Sequence, residues 1–207
     1  MSDGATGAYV SPHKGIPGCR GAEQLGFCVP DMEVATDFFV NVLGFEQFYT
    51  MGPFADPSGT WCATHFNIDA RAVVKKLRLF RAFNINLELF ETTMPGQNEV
   101  WPAMQDVGGW HLGFYVDDIH IAHDYLVDSG MRSLGGPKDM MMDESGDQAF
   151  FVHLMTEWGF YLELVSYPNG RAYESNFERR LWNPTVADLV AEKNLVGTPA
   201  ADPSGVQ

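Results

Sequence analysis

Short apolar runs, and the polar residues that interrupt them, recur twice along this chain in one order. Residues 24–40 read QLGFCVPDMEVATDFFV and residues 111–127 read HLGFYVDDIHIAHDYLV, identical at eight of seventeen positions. A second echo follows in each half, INLELF at 85–90 and FYLELV at 160–165, which sets Glu88 against Glu163. The two echoes are offset by 87 and 75 residues, so the order of elements is kept while loop lengths differ. Self-similarity of this kind marks two modules of like architecture.

Each copy opens on an apolar run, 25–29 or 112–116, that predicts a buried strand. Asp31 or Asp118 comes next, where a helix cap belongs. Val34, Phe38, Val42 and Leu43 then share one helical stripe, as do Ile121, Tyr125 and Leu126 in the second copy. Gly44 and Gly130 stand where each helix should stop, because glycine accepts the positive φ of a helix C-terminus. Strand-like stretches follow at 45–52, 60–66, 73–82 and 84–91, then at 132–136, 147–154 and 159–166. The pattern is βαβββ twice, an α+β chain. An arm at 1–21 precedes the first module at 22–91, and a turn-rich linker at 92–109 precedes the second at 110–170. An extension at 171–207 carries a short helix near 184–193.

Composition narrows the function. Hydrophobic residues at 45% and charged residues at 19% describe a folded chain rather than a disordered one. The formal charge of −14 excludes non-specific nucleic-acid binding and docking on an anionic membrane, both of which need clustered cations. Cys19, Cys28 and Cys62 are odd in number and scattered, neither a disulfide framework nor a zinc pattern. With no signal-like N-terminus and no long apolar run, the expected setting is the cytoplasm.

The chemistry gathers at the fixed points of the repeat. Gln24 and His111 open the first strand of each copy, and Glu88 and Glu163 stand in the closing strand between leucines. Strand side chains alternate, so the leucines face one side and the glutamate the other. A carboxylate in an apolar strand calls for a cation, a partner or water. A pseudo-twofold pairing of the modules would bring all four residues to one cleft. An amide, an imidazole and two carboxylates suit a divalent ion with room for two substrate oxygens.

The paired motifs QLGFCVPD with INLELFE, and HLGFYVDD with YLELVSYP, resemble the vicinal oxygen chelate superfamily over about residues 22–170. That superfamily includes glyoxalase I, epimerases, extradiol dioxygenases and bleomycin-resistance binding proteins. The resemblance implies two βαβββ modules forming a cupped, barrel-like mixed sheet around a metal site. It implies Gln24, Glu88, His111 and Glu163 as ligands of one divalent ion (zinc, nickel, manganese or cobalt) and a homodimer as the assembly. The set Gln, Glu, His, Glu matches one branch of glyoxalase I, whereas extradiol dioxygenases use two histidines and one glutamate around iron(II). The implied function is a metal-dependent isomerase, epimerase or glyoxalase I-like lyase moving a proton beside a carbonyl. Its small-molecule substrate would carry adjacent oxygens: an α-hydroxyketone, a hemithioacetal or a sugar-like ketone. Glu163 would be the base and Glu88 the opposing base. A ring-cleaving dioxygenase and a non-catalytic binding protein are the alternatives. Cys28 and Thr92 occupy the positions at which glutathione-using relatives place an Arg and an Asn, so the resemblance does not carry glutathione over.

Further residues are expected near the site. His65 and His153, in expected strands, together with Trp110 and Tyr161, are candidates to contact substrate. Trp101, Trp110 and Trp158 could wall it, and Lys75, Lys76, Arg78 and Arg81 could form an anion pocket. His13, His120 and His123 are expected in solvent.

Overall fold

The computed structural model describes residues 16–17, 19, 21–56, 58, 60–177 and 181–183. The helix expected at 184–193, most of the arm and His13 lie outside them. The chain divides into two compact units between Glu99 and Val100.

In the first unit the order is β1 (Gln24–Cys28), α1 (Met32–Asp37) continuing as a wider π turn (Phe38–Val42), β2 (Glu46–Met51), β3 (Phe54–Ala55), α2 (Trp61–Phe66), β4 (Val73–Ala82) and β5 (Ile85–Thr93). The strands form one sheet in the order β1-β5-β4-β2, with β3 also paired to β4. β1 runs parallel to β5, and β4 antiparallel to both β5 and β2.

The second unit repeats this topology with β6 (Leu112–Tyr115), α3 (Ile119–Asp128), β7 (Arg132–Ser133), β8 (Lys138–Asp139), β9 (Phe150–Met155) and β10 (Tyr161–Ser166). Its order is β6-β10-β9-β7, with β8 paired to β9 and β6 parallel to β10. The α+β class and the doubled plan are as the sequence implies. Each sheet is open, however, with β1 and β2, or β6 and β7, at its edges.

Local chemistry explains these elements. Asp31 Oδ1 accepts from the backbone N–H groups of Glu33 and Val34, and Asp118 Oδ1 from those of His120 and Ile121. Each cap satisfies donors that the first helical turn leaves orphaned. Gly44 and Gly130 follow the helices at φ +74° and +94°, a conformation that costs a side-chain-bearing residue far more. Asp118→Ala is expected to lower unfolding free energy by about 1 kcal/mol, the usual worth of such a cap. Urea denaturation checks this, and an unmoved midpoint contradicts it.

The core faces of the helices differ from the expected stripes. Met32, Ala35, Phe38 and Phe39 are the buried residues of the first helix, while Val34 is exposed. Phe39 stacks on Phe45 at 5.4 Å between centroids and lies 6.2 Å from Phe80 of β4. In α3 the buried residues are Ile119 and Leu126, and Ile121 is 71% exposed. The inward face is thus 119, 122, 123 and 126, one residue off the expected stripe. On that face His123 is half-buried rather than solvated, with Nδ1 2.9 Å from Asp124 Oδ1 and Nε2 2.9 Å from Ser133 Oγ.

The stretch expected as a strand at 60–66 is instead helix α2 (Trp61–Phe66), in which no residue is buried. The Asp56 carboxylate holds its start, accepting from the N–H groups of Trp61 and Cys62.

Candidate metal centre

The closing strands carry the alternation that the leucines foretell. Leu87 and Leu89 are fully buried on the core side of β5, and Glu88 is half-buried on the other face. Leu162 and Leu164 do the same around Glu163 on β10. In register, Gly26 stands beside Glu88 and Gly113 beside Glu163. A methyl at Gly26 would meet Glu88 Oε2 at 3.4 Å and the Phe90 ring at 3.5 Å, and one at Gly113 would meet Glu163 Oε2 at 3.6 Å. Any longer side chain would cover the carboxylate. The glycine shared by both copies therefore keeps each glutamate uncovered.

In the first unit Gln24 Nε2 donates to Glu88 Oε2 at 2.9 Å. Burial pushes the Glu88 carboxyl above its usual range, and the Gln24 amide draws it partly back. A raised carboxyl value means that the ionised form costs the metal-free fold stability. That cost grows as pH climbs from the ordinary carboxylate value to the raised one, and is absent below both. A cation beside Glu88 would relieve it. Along the same face, Cys28 Sγ lies 3.8 Å from Thr92 Oγ1, so the two positions that depart from the glutathione pattern touch each other.

In the second unit His111 Nε2 is 3.1 Å from Glu163 Oε2, and His153 Nε2 is 3.7 Å from Glu163 Oε1. His153 is the direct cross-strand neighbour of Glu163, and its ring stands edge-on to His111 at 5.1 Å between centroids. Its Nε2 is buried and makes no hydrogen bond, because 3.7 Å is too long for one. Burial holds the His153 imidazole below its usual value, opposed by the Glu163 carboxylate. The direction favours the neutral ring, which has a lone pair to offer.

The donor atoms of His111, His153 and Glu163 all lie within 4.8 Å of one another. Two imidazoles and a carboxylate are a donor set for a borderline divalent ion such as zinc, manganese, cobalt or nickel. An orphaned buried Nε2 beside a carboxylate is what a missing cation would leave, so these residues fit one.

The structure sorts the remaining candidates. His65 lies on the exposed helix α2 rather than a strand, its ring tilted against that of Trp61 at 4.9 Å. Tyr161 is two residues from Glu163 on the same face of β10. Trp110 joins Trp101, Trp158 and Phe160 in an aromatic cluster with centroid spacings from 5.4 to 5.9 Å. These rings pack edge to face and stacked on one another.

Of the four clustered cations, three are engaged in ion pairs. Arg78 is buried and binds Glu33, Thr36 and Thr50, while Lys75 pairs with Glu91 and Lys76 with Glu33. Arg78 and Lys76 hold the Glu33 carboxyl down at about 2. Arg81 donates to the Phe83 carbonyl.

The repeat, its capped helices and the uncovered glutamates define a family, and the chain belongs to it: the glyoxalase/bleomycin resistance protein/dioxygenase superfamily, matched over residues 23–150. The vicinal oxygen chelate resemblance of the motifs holds. Among individual proteins, the chain is 36% identical over 173 residues to one from an Actinomyces species named 2-epi-5-epi-valiolone epimerase, covering 83% of this chain and 92% of that one. Its fold is similar to that of a glyoxalase family protein from Bacillus cereus, with TM-score 0.54, 14% identity, and 76% and 98% of the two chains covered. A glyoxalase family protein from Enterococcus faecalis follows at TM-score 0.50 and 16% identity, covering 70% and 97%. Among the described residues no helix is long and apolar enough to cross a membrane.

Proposed function

We propose that this chain is a metal-dependent epimerase acting on a sugar-like cyclic ketone, with Gln24, Glu88, His111 and Glu163 as ligands of one divalent cation. The observation that carries the reading is the matched placement of Glu88 and Glu163. Each is half-buried in the closing strand of its sheet, beside a glycine, with a ligand-type side chain within 3.1 Å. The similarity to a protein named as an epimerase supports the reaction type. A homodimer in the cytoplasm belongs to the same proposal, and the two pairs of ligands come from one chain or from two copies.

A bound divalent cation would supply Lewis-acid stabilisation of the negative charge that develops on the carbonyl oxygen. The chain's own residues do the rest. Glu163 takes the proton from the carbon beside the carbonyl, leaving an enediolate, and Glu88 returns a proton to the opposite face. One C–H bond breaks and one forms, so substrate and product are isomers and no co-reactant is consumed. His111 and Gln24 hold the arrangement, and Tyr161, two residues before Glu163, and Trp110, one before His111, are the side chains for contact with the ring.

Nuclear magnetic resonance in deuterated water tests this with 2-epi-5-epi-valiolone as the first substrate. The wild type is expected to interconvert two epimers with solvent deuterium entering at the inverted carbon. Glu88→Gln is expected to keep exchange at one face while losing interconversion by about a hundredfold. Failure of the metal-loaded wild type to exchange that hydrogen with this ketone or with other α-hydroxyketones contradicts the proposal.

A second reading has its own observation. His111, His153 and Glu163 are also a two-histidine, one-carboxylate set of the kind that binds iron(II) for oxygen chemistry. Oxygen uptake with a catechol after anaerobic iron(II) reconstitution would establish it in place of the epimerase.

A further inference from the structure

The two modules share topology but not the residue facing the closing glutamate. Across β5 from Glu88, the antiparallel neighbour on β4 is Leu79; across β10 from Glu163, the neighbour on β9 is His153. An imidazole is costly in a place where its copy carries leucine, because a buried polar nitrogen without a partner loses the hydrogen bonds water gave it. Nε2 of His153 is in that position: buried, unbonded and turned toward Glu163 Oε1 at 3.7 Å. The other oxygen of the same carboxylate faces His111 Nε2 at 3.1 Å.

Two donors that sit about 2.1 Å from one ion stand about 3 to 4 Å apart. The two spacings, each to a different oxygen of the Glu163 carboxylate, fall in that range. From this geometry we propose that His153 is a ligand of the cation, so that the second module carries three donors of its own (His111, His153 and Glu163) and binds a divalent ion without help from the first. The inference rests on the functional reading for the identity of the centre and adds to it a ligand and an order of strength.

The addition bears on how the ion is held. His153, His111 and Glu163 would hold the ion, and Glu88 would add a second carboxylate to the set. Gln24, whose amide is the uncharged oxygen donor of the set, would be the most weakly bound of the ligands. The second module would then anchor the ion, with Glu88 and Gln24 as the weaker contributors. Leu79 in the first module provides no such anchor.

Titration calorimetry of the metal-free full chain with manganese(II) or zinc(II), alongside circular dichroism to confirm folding, tests the assignment. His153→Ala is expected to weaken cation binding at least 30-fold, and Gln24→Ala less than tenfold. Loss of less than threefold in His153→Ala overturns the inference. Should Gln24→Ala and Glu88→Ala abolish binding while His153→Ala leaves it intact, the four-ligand reading stands and the added ligand is wrong. Should the wild type bind no cation, both fall. Because His153→Ala could unfold, the unmodified chain gives a separate readout: electron spin-echo modulation of its copper(II) form is expected to show two coordinated imidazoles, and a single imidazole overturns the assignment.

Discussion

Glu163→Gln is expected to lower kcat for epimer interconversion about a thousandfold, within the range that a positioned general base contributes. The amide keeps the shape of the side chain on β10 and leaves Leu162 and Leu164 packed as before. What it removes is the negative charge and the basic lone pairs facing His111 and His153. A glutamine also coordinates a cation more weakly than a carboxylate, so metal content must be measured on the same sample. Loss of turnover with the cation retained assigns the proton transfer to Glu163. Near-normal turnover shows that the base is elsewhere, with Glu88 the next residue to test.

Removal of the cation is the second large effect. Dialysis against a chelator is expected to reduce turnover by at least about a thousandfold, since Lewis-acid stabilisation of developing oxyanion charge is worth several kcal/mol. One equivalent of zinc, nickel, manganese or cobalt should restore it, and the metal that restores it best identifies the working ion. The metal-free chain should also be less stable near neutral pH, because a cation that binds only the folded state adds to its stability and relieves the burial of ionised Glu88. Full activity after exhaustive chelation, with no metal detected in the protein, is the opposing result.

Much of this was legible in the residues. The Asp–helix–Gly frame of each copy is local chemistry: a side chain that accepts two N–H groups, and a glycine at positive φ. The leucine–glutamate–leucine alternation likewise reads directly as a two-faced strand. The helix faces did not, because both helices carry apolar residues on two overlapping stripes. Val34 and Ile121 are hydrophobic yet exposed, so periodicity chose a face one residue away from the one that packs.

Helix α2 was missed for a related reason. Trp61, Cys62 and Phe66 give the density of a strand, and a helix that buries none of its residues leaves no amphipathic signature. The roles of Lys75, Lys76 and Arg78 were not legible, because cations close in sequence say nothing of their partners. Glu33, more than forty positions from Lys76 and Arg78, meets both only in the folded chain.

His153 shows the limit most clearly. The sequence marks it as one more histidine in a strand, ten positions before Glu163. Only the hairpin register of β9 and β10 makes the two neighbours. Gly26 and Gly113 were visible as identities, but their role emerges from the register that sets each beside a carboxylate.

The most direct test of the central claim is anomalous X-ray scattering from a crystal of the full chain loaded with manganese or zinc. One strong peak per chain is expected, within coordination distance of Gln24, Glu88, His111 and Glu163. A peak bound by neither glutamate, or no peak at all from a protein that turns over its substrate, would contradict it.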